Sequence, residues 1–495
     1  MSQGSLGREA AGPARGDASG ASPLPLCVDL DGTLVATDTL WECLLACARQ
    51  RPAALLRLPG WLARGRPAVK RGLAEAGPPE PDALPFRAEV VEYLREARAA
   101  GRRVVLATAA DRRVAEAVAS HLGLFDQVIC TDGSLNLKGQ GKGAALREAF
   151  GEGGFEYLGD SRADWPVWAL AGRASSVGLS ARQQERLAAR LPLARAFPGS
   201  RGGVRAWVRG LRLHQWVKNL LVVLPLVMAH RFDEPALLAQ VGVAFLALSL
   251  CASSVYLFND LMDLASDRRH PTKRRRPFAA GELSIRSGVA AAPLLVTAAL
   301  TLSLALLPAA FTATLAAYLV LNLLYTFRLK RVAIADVIFL AGLYSLRVLA
   351  GGFATGIEVS PWLIAFSLFF FLNLAFLKRY ADLRLGHAGA EGRSPGRDYV
   401  AEDAPLLLSL GPASGYMATL VLALYMQSDK VTTLYREPDL LWLLVPLLVF
   451  WISRVWLVAH RGGMSDDPIV FTTRDPVSWG VAALSGGVLV LATLL

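Results

Sequence analysis

The chain has 495 residues, enough for two or more domains, and 53% of them are hydrophobic, with the excess concentrated after about residue 213. Its formal net charge is +11, but the cations cluster in short loops between apolar stretches. This pattern is typical of a membrane protein, and we expect no nucleic acid as a partner. The five cysteines show neither metal-ligand nor disulfide spacing, which fits a reducing compartment.

The amino-terminal residues 1–24 are rich in Gly, Ala, Ser and Pro and lack the long apolar core of a signal peptide, so we expect them to be disordered. The next segment, Leu26–Thr33, is an apolar run that ends in Asp-Leu-Asp-Gly-Thr. It predicts a buried strand followed by a turn at Gly32. Asp29 and Asp31 then face the same side, one as nucleophile and the other as acid and base. Phosphoryl transfer to an aspartate needs this pair.

Three further predicted strands follow and alternate with helices. They are Arg103–Thr108, Gln127–Thr131 and Phe155–Gly159. Such alternation predicts a parallel sheet with its active site at the carboxyl ends of the strands. Polar residues stand at these ends: Thr108 closes one strand, and Asp160 and Asp164 follow the last one.

These pieces, in this order, resemble the haloacid-dehalogenase-like phosphatases over nearly all of residues 25–172. The resemblance implies a Rossmann-like α/β phosphatase domain with a small helical cap, formed by the insert between the first two motifs. It also implies that Asp29 is the nucleophile, Asp31 the acid and base, and Thr108 a ligand of the phosphate. The alternative is a phosphatase fold that has lost its activity and only regulates or scaffolds.

The third motif of these phosphatases is a lysine. Lys142 matches it best, and Lys138 is close enough in the sequence to compete. The acids of the fourth motif match Asp160 and Asp164 and help to hold Mg²⁺. The resemblance therefore implies a Mg²⁺ site whose candidate ligands are Asp29, Asp31, Asp160 and Asp164.

Residues 173–205 are rich in Ala and Arg and are interpreted as a linker, and residues 206–495 as an all-α membrane bundle. About nine transmembrane spans are predicted, several of them near the roughly 20 residues needed to cross a bilayer. The apolar spans cover residues 214–229, 236–258, 288–307, 309–327, 332–352, 360–380, 408–427, 439–459 and 478–495.

The second span ends in Asn259 and three carboxylates, Asp260, Asp263 and Asp267, at spacings of three and four residues. On a helix these positions share one face, where the carboxylates repel one another unless a cation neutralises them. Oxygen ligands of this kind suit Mg²⁺, and the basic residues that follow would hold a diphosphate at the membrane surface. The alternative is a solvated, charged loop, which the cost of stacked acids at a membrane boundary disfavours.

Lysine and arginine are concentrated in alternate loops of the bundle. The cation-rich segments are Arg268–Arg276, Arg328–Arg331, Lys378–Arg397 and Arg461–Arg474. The positive-inside rule places these loops and the amino-terminal domain in the cytoplasm and the carboxyl terminus outside. We therefore expect a multi-pass protein of the cell inner (plasma) membrane, with the phosphatase domain and the Asp-rich motif on the cytoplasmic side.

Nine helices with this Asp-rich motif after the second one resemble the UbiA family of prenyltransferases, and the resemblance spans about residues 210–495. Tyr325 and Lys330, followed by Asp336, look like the second motif of the family, which implies that Asp336 is a further metal ligand. Arg347 lies within a predicted membrane span. It is therefore either a functional residue or one half of an interhelical ion pair.

Two stretches look like the decaprenyl-phosphate phosphoribosyltransferase branch of that family, namely Lys218-Asn219 and the run His270–Gly281. The segments that begin at Arg397 and Asp466 fit the same branch. The branch implies transfer from phosphoribosyl diphosphate to a polyprenyl phosphate, with Mg²⁺ assisting the departure of diphosphate. The implied substrate-binding residues are Lys218, Asn219, Asn259, Lys273, Arg276, Tyr325, Lys330 and Arg347, and the implied catalytic metal ligands are Asp260, Asp263 and Asp267.

The product of this transfer would still carry a sugar phosphate, which the phosphatase domain is expected to remove on the way to a ribosyl or arabinosyl donor. The main alternative is a UbiA-type enzyme that moves a prenyl group from its diphosphate to an aromatic acceptor, as in quinone biosynthesis. Leu340, where the family usually has a second acid, and the His-Pro-x-Lys run weigh against it. A third interpretation is a regulatory phosphatase anchored on an inert bundle, which the intact Asp triplet disfavours.

Overall fold

The computed structural model describes residues 24–131, 137–199, 202–384, 398–464 and 468–494. The chain forms two compact units. The sheet unit comprises Met1–Gly202 together with Leu264–Ile285, and the helical unit comprises Gly203–Asp263 together with Arg286–Leu495. The predictions for residues 1–23, Arg397 and Asp466 lie outside the described residues.

The sheet unit is built on six parallel strands. They are β1 Leu26–Val28, β2 Val104–Asp111, β3 Gln127–Thr131, β4 Glu156–Gly159, β5 Arg173–Val177 and β6 Leu193–Phe197. Their order in the sheet is β3-β2-β1-β4-β5-β6. All residues of the central strands β1 and β4 are buried, as expected for parallel strands covered on both faces. The predicted α/β class is confirmed.

Helices connect most of these strands. Four helices lie between β1 and β2, where the sequence predicts the cap, and three of these four precede Gly77. These are α1 Thr39–Gln50, α2 Leu58–Ala63 and α3 Arg66–Ala76. The others are α4 Ala88–Ala99, α5 Arg112–Leu122, α6 Gln140–Phe150, α7 Trp165–Trp168, α8 Ala181–Ala188 and α12 Leu264–Arg269. Helix α5 shows how their ends are set: the Asp111 side chain accepts from the Arg113 N–H, and Gly123 ends the helix in the left-handed region.

Residues 173–205 do not form the predicted linker. They contain β5, α8 and β6, which complete the sheet beyond β4. The sequence conceals this because β6 is an edge strand whose three central residues are exposed. An edge strand needs no continuous apolar run, so its composition resembles that of a surface loop.

The segment Leu264–Ile285 belongs to the sheet unit although it lies between two membrane helices in the sequence. Its residues Phe278 and Ala279 are 1% and 4% exposed, and the Gly202 N–H donates to the Glu282 carbonyl at 2.9 Å. The predicted domain boundary at residue 206 therefore misses a piece of the sheet unit that returns from later in the chain.

The helical unit contains the remaining helices. They are α9 Val204–Leu211, α10 Leu224–Met228, α11 Pro235–Met262, α13 Ile285–Leu306, α14 Ala309–Phe327, α15 Ala335–Thr355, α16 Pro361–Arg384, α17 Ala404–Met426, α18 Asp429–Leu434, α19 Leu444–His460, α20 Pro468–Arg474 and α21 Pro476–Leu494. Among the described residues, eight helices are long and apolar enough to cross a membrane. The predicted all-α membrane bundle is confirmed.

The first of the nine predicted spans is not a single long α-helix. Residues Leu213–Val223 form a 3₁₀ helix that continues into the short helix α10. This apolar segment is shorter than the eight long helices, because Pro225 occupies the first turn of α10 and cannot extend a longer α-helix backwards.

Small residues let the helices of this unit approach closely. A side chain added at Gly351 of α15 would place its Cβ atom 2.1 Å from the Val222 carbonyl oxygen and 3.1 Å from the Pro225 ring. Membrane helices rely on such contacts because lipid offers no hydrophobic driving force for their association. Gly351 therefore fixes how closely the segment before α10 packs on α15.

Candidate active sites

The nucleophile predicted for the hydrolase chemistry lies at the end of β1. Asp29 is buried, and its N–H donates to the Leu158 carbonyl at 3.0 Å. Lys142 lies 2.7 Å from an Asp29 oxygen and donates to the Tyr157 hydroxyl at 2.9 Å. That hydroxyl donates in turn to Asp164 at 2.8 Å. One buried network thus joins the predicted nucleophile, lysine and fourth-motif acid.

Three carboxylates converge at this point. Ligand atoms of Asp29, Asp160 and Asp164 all lie within 4.8 Å of one another. Burial, and then the neighbouring carboxylates, raise the pKa of Asp160 to about 7. Burial is also the main cause that raises the pKa of Asp29 to about 6. An all-oxygen donor set whose members repel one another fits Mg²⁺.

Gly32 shows how tightly the loop after β1 approaches this cluster. It has a φ of 77°, and a Cβ atom built there would lie 2.3 Å from an Asp160 oxygen. A side chain at this position would therefore displace a candidate metal ligand. The turn predicted after the first strand is present, and its glycine is required by both conformation and space.

Asp31 does not join the three-carboxylate cluster of the described residues. Its carboxylate instead accepts a hydrogen bond of 2.7 Å from the Thr39 N–H at the start of α1. Burial, and then the nearby Asp38 carboxylate, raise its pKa to about 7. This pKa suits the predicted role of acid and base. The predicted role as a metal ligand is not supported, because the start of α1 holds the side chain.

Of the other predicted residues of this site, Thr108 and Lys142 are buried and Lys138 is exposed. Thr108 is fully buried and accepts from the Ala110 N–H at 3.0 Å. Lys142 is 3% exposed, whereas its competitor Lys138 is exposed. Burial lowers the pKa of Lys142, but the Asp29 and Asp164 carboxylates more than offset this and raise it above its ordinary value. Of the two lysines, Lys142 is therefore the one that lies beside the predicted nucleophile.

Two residues of this site have no counterpart among the predicted ones. Tyr157 relays hydrogen bonds between Lys142 and Asp164, as described above. Lys70, on the cap helix α3, donates to the Ala109 carbonyl at 2.5 Å, and burial lowers its pKa. The strand position of Tyr157, two residues before Gly159, is a sequence signal for a side chain near the strand end, but nothing in the cap sequence marks Lys70.

In the other half of the chain, the Asp-rich motif does not lie on one continuous helix. Helix α11 ends at Met262, Asp263 caps it with φ −97° and ψ 9°, and α12 begins at Leu264. The prediction that three acids share one helix face is thus corrected. Regular i, i+3 and i+4 stacking requires an uninterrupted helix, and this one is interrupted within the motif.

Each acid of the motif has a basic partner within its own unit. Asp260, which is 2% exposed, pairs with Arg212. Asp263 lies 3.5 Å from Lys330. In the sheet unit, Asp267 pairs with Arg276 at 2.7 Å. Two of these three pairs therefore join a predicted acid to a predicted phosphate-binding cation. Arg212, the partner of Asp260, was not among the predicted residues.

Asn259 offers a test of whether a ligand fits beside these acids. Its Oδ1 atom is buried and has no hydrogen-bond partner among the described residues. A buried amide oxygen without a partner is costly, and a cation or a donor group on a ligand would satisfy it. The oxygen donors of Asn259 and Asp260 on α11 therefore fit Mg²⁺. Lys273 is exposed, and its predicted phosphate contact stays a prediction.

Asp336 was predicted to bind metal but is engaged in a buried ion pair. One oxygen accepts from Arg379 at 2.6 Å and the other from the Tyr399 hydroxyl at 2.6 Å. Arg379 also donates to the Tyr325 hydroxyl at 3.3 Å. Because both oxygens of Asp336 are satisfied by protein groups, the predicted metal role of Asp336 is corrected to a structural one, and Tyr325 belongs to the same network.

A second buried network contains two of the predicted substrate-binding residues, Asn219 and Arg347. The Arg347 guanidinium donates to Asn219 Oδ1 at 3.0 Å, to the Tyr318 hydroxyl at 2.8 Å and to the Leu343 carbonyl at 2.7 Å. The Lys218 ammonium lies 5.9 Å from the centre of the Tyr344 ring, which Arg347 also contacts. Within the described part of the chain, Arg347 has no carboxylate partner, so the ion-pair alternative is not supported.

The two halves also match known proteins. The UbiA prenyltransferase family matches residues 220–472, and the haloacid dehalogenase-like hydrolases match residues 26–168. Uncharacterized protein y4nM of Sinorhizobium fredii is 40% identical over 474 residues, which cover 95% of this chain and 91% of that protein. The chain is thus similar to another protein over both of its halves.

Two further relatives each match about half of the chain. Nodulation protein NoeC of Azorhizobium caulinodans is 33% identical over 53% of this chain and 85% of its own length. Decaprenyl-phosphate phosphoribosyltransferase of Mycolicibacterium smegmatis is 32% identical over 55% of this chain and 88% of its own length. The predicted fusion is confirmed, and the chain belongs to the UbiA prenyltransferase family, with a haloacid dehalogenase-like hydrolase domain joined to its transferase domain.

Proposed function

We propose that the membrane half joins phosphoribosyl diphosphate to a polyprenyl phosphate, and that the hydrolase domain then removes the phosphate from the sugar of the product. The similarity to a decaprenyl-phosphate phosphoribosyltransferase over 88% of that protein's length carries this proposal. A polyprenyl phosphate is the lipid substrate in it, and phosphoribosyl diphosphate is the sugar donor.

The buried cation Arg347 supports an anionic lipid group as a substrate. It is 6% exposed, and its hydrogen-bond partners Asn219, Tyr318 and Leu343 are all neutral. A buried charge without a counter-ion is expensive in a membrane span. A lipid phosphate held by Lys218 and Arg347 would supply the missing negative charge, with the Asn219 side chain fixing the guanidinium.

The transfer step requires departure of diphosphate from the ribose. The lipid phosphate oxygen forms the new bond to the ribose carbon as the bond to the diphosphate oxygen breaks. Bound Mg²⁺ would neutralise charge on the departing diphosphate. That Asp260, Asp263 and Asp267 bind this metal stays a prediction from their spacing, supported by the unsatisfied Asn259 oxygen.

The geometry of the sheet unit supports the proposed hydrolase step. Asp29 attacks the phosphorus of the sugar phosphate, and Asp31 donates a proton to the ribose oxygen that leaves. Water, deprotonated by Asp31, then releases inorganic phosphate from Asp29. Lys142 and Thr108 hold the phosphoryl oxygens, and Mg²⁺ at Asp29, Asp160 and Asp164 would offset their charge.

A product assay tests both steps. Purified full-length protein in detergent receives Mg²⁺, a polyprenyl phosphate and radiolabelled phosphoribosyl diphosphate. We expect label in the lipid phase, lost in Asp260→Asn, and a lipid that keeps its sugar phosphate in Asp29→Asn. Conversion of a prenyl diphosphate and an aromatic acid, without labelled ribosyl lipid, would reject the proposal in favour of aromatic prenyl transfer. Asp29→Asn protein that dephosphorylates the lipid as fast as the wild type would reject the hydrolase step.

We further propose that the cation-rich loops, the hydrolase domain and the transferase's Asp-rich motif face the cytoplasm of a plasma membrane. The distribution of lysine and arginine supports this orientation. Phosphoribosyl diphosphate is a charged, water-soluble donor that does not cross a bilayer unaided, so an active site on the cytoplasmic side has direct access to it.

A further inference from the structure

A buried arginine of the 264–285 segment reaches the hydrolase cap. Arg268 binds Glu42 of α1 through two hydrogen bonds, of 2.6 Å and 3.1 Å. The two side chains are only 8% and 7% exposed. Arg268 also donates to the carbonyls of Ala83 and Ala279, at 3.1 Å and 3.2 Å. The guanidinium is therefore held on every side within the sheet unit.

Its partner Glu42 is attached to the loop that carries the predicted acid. The Thr37 hydroxyl donates to Glu42 at 2.7 Å, and the Gly32 N–H donates to the Thr37 carbonyl at 3.0 Å. The Thr39 N–H, in the first turn of the same helix as Glu42, donates to Asp31 at 2.7 Å. One chain of hydrogen bonds thus links Glu42 to Gly32, and the first turn of α1, which contains Glu42, is bonded to Asp31.

The 264–285 segment contacts this loop at a second point. Gly281 has a φ of 70°, and a Cβ atom built on it would lie 2.5 Å from the Ala36 carbonyl oxygen. The Ala36 N–H donates to the Pro85 carbonyl at 2.9 Å on the opposite edge. The loop that positions Asp31 is therefore packed between the body of the hydrolase and a segment that follows the transferase's Asp-rich motif.

We propose that Arg268 is a positioning residue of the hydrolase: by holding Glu42, it fixes the loop that orients the Asp31 carboxyl group. Arg268 touches neither the three-carboxylate cluster nor the predicted phosphate ligands, so it acts through Glu42 and Thr37. It directly follows Asp267 and lies within the stretch that matches the UbiA family. A residue of the transferase sequence thus sets the efficiency of the hydrolase. This inference rests on the proposed hydrolase activity.

The test measures hydrolysis of p-nitrophenyl phosphate by the full-length protein in detergent with Mg²⁺. We expect Arg268→Gln to lower kcat about tenfold to a hundredfold while KM changes less than about threefold, because misplacing a general acid slows chemistry without weakening phosphate binding. Arg268→Lys, which keeps the charge, is expected to recover part of kcat. Glu42→Gln should reproduce the loss, and the double variant should lose no more than either single one.

Arg269→Gln is the matched control. Arg269 is the adjacent arginine of the same segment, and it pairs with Glu80 and Asp82 through side chains that are 40% to 56% exposed. Exposed ion pairs contribute little to the stability of a fold, so this variant should keep the wild-type kcat.

Wild-type kcat in Arg268→Gln, or equal losses in Arg268→Gln and Arg269→Gln, would overturn the inference while leaving the hydrolase activity in place. No hydrolysis by the wild type would instead reject the hydrolase activity and the inference together. Thermal unfolding in detergent shows which variants fold. Should Arg268→Gln unfold, unchanged kcat in folded Arg268→Lys and Glu42→Gln would overturn the proposal equally.

Discussion

Lys142 supplies positive charge next to the buried carboxylates of the hydrolase site. It lies 2.7 Å from Asp29 and 3.6 Å from Asp164, in a site where burial and neighbouring carboxylates raise the pKa of the aspartates. A bound phosphate adds further negative charge, so the need for this cation grows when substrate enters. Charge-assisted hydrogen bonds of this kind are among the stronger contributions to phosphate binding.

Replacing Lys142 by Gln should lower kcat/KM for a phosphomonoester about a hundredfold or more, because the site loses a preorganised cation directed at the phosphoryl group. Lys138→Gln is the matched control, since Lys138 is four residues away and exposed, and it should stay near the wild-type value. Steady-state hydrolysis by the two variants checks this. The opposite result would assign the third-motif lysine to Lys138.

Arg347 allows a similar test in the helical unit. Replacing it by Met removes a buried charge and keeps an unbranched side chain of comparable length. If Arg347 binds the lipid phosphate, we expect the KM for polyprenyl phosphate to rise about tenfold or more. The melting temperature should also fall, because the buried Asn219 and Leu343 oxygens lose their donor. The transferase assay and thermal unfolding in detergent give the two quantities.

The control for this variant is Arg454→Met. Arg454 lies in the same unit and binds Asp475 through two hydrogen bonds of 2.7 Å and 2.9 Å. Its loss leaves Asp475 without its ion-pair partner, so stability should fall while the KM for the lipid stays constant. A KM that is unchanged in Arg347→Met would remove Arg347 from the lipid site.

At the scale of elements, Asp336 ties three helical segments together. It stands in the first turn of α15, Arg379 lies near the end of α16, and Tyr399 precedes α17. The Tyr399 hydroxyl also accepts from the Ile334 N–H at 2.8 Å, just before α15. Burial, and then the bond to Asp336, raise the pKa of Tyr399 above its ordinary range, so the hydroxyl stays a donor to that carboxylate.

Asp336→Asn should therefore destabilise the bundle without changing its need for metal. Breaking a buried pair on one side costs about 3–5 kcal/mol, so the melting temperature in detergent should drop clearly. The Mg²⁺ concentration for half-maximal transferase activity should stay the same. In contrast, Asp263→Asn, whose side chain is 40% exposed, should raise that Mg²⁺ concentration with little loss of stability. A raised Mg²⁺ requirement in Asp336→Asn would restore Asp336 as a ligand.

These elements also show what the sequence can and cannot predict. Asp29, Thr108 and Asp160 follow apolar runs that end together in a parallel sheet, so their convergence follows from strand geometry alone. The partner of Asp336 lies 43 residues away on another helix, and no local pattern announces such a pair. The break at Asp263 is equally invisible, because i, i+3 and i+4 spacing assumes a helix that continues.

At the scale of the whole molecule, sequence order and spatial units disagree at one place. Residues 264–285 lie inside the stretch that matches the UbiA family, yet they pack as part of the sheet unit. Buried Phe278 and the Arg268–Glu42 pair hold them there. The hydrolase fold of this chain is therefore completed by a piece of its transferase sequence, which a domain boundary drawn along the sequence cannot represent.

The orientation in the membrane depends on the shortest apolar segment. Eleven residues of Leu213–Val223 form a 3₁₀ helix and five residues form α10. A 3₁₀ helix rises about 2.0 Å per residue and an α-helix about 1.5 Å, so the segment extends about 30 Å, the thickness of a bilayer core. We therefore expect it to cross the membrane despite its length, which places the loop before α11 outside and the loop after α19 in the cytoplasm.

Single cysteines introduced in these two loops check this. Asp233→Cys and Arg461→Cys, both at exposed positions, are made in a Cys130→Ser background, because the other four cysteines are buried. A membrane-impermeant maleimide should label residue 233 in intact cells and residue 461 only after permeabilisation. Labelling of residue 233 only after permeabilisation would mean that Leu213–Met228 does not cross. The hydrolase domain and the cation-rich loops could then not lie on the same side of the membrane. If the first segment does not cross, every later loop moves to the opposite side.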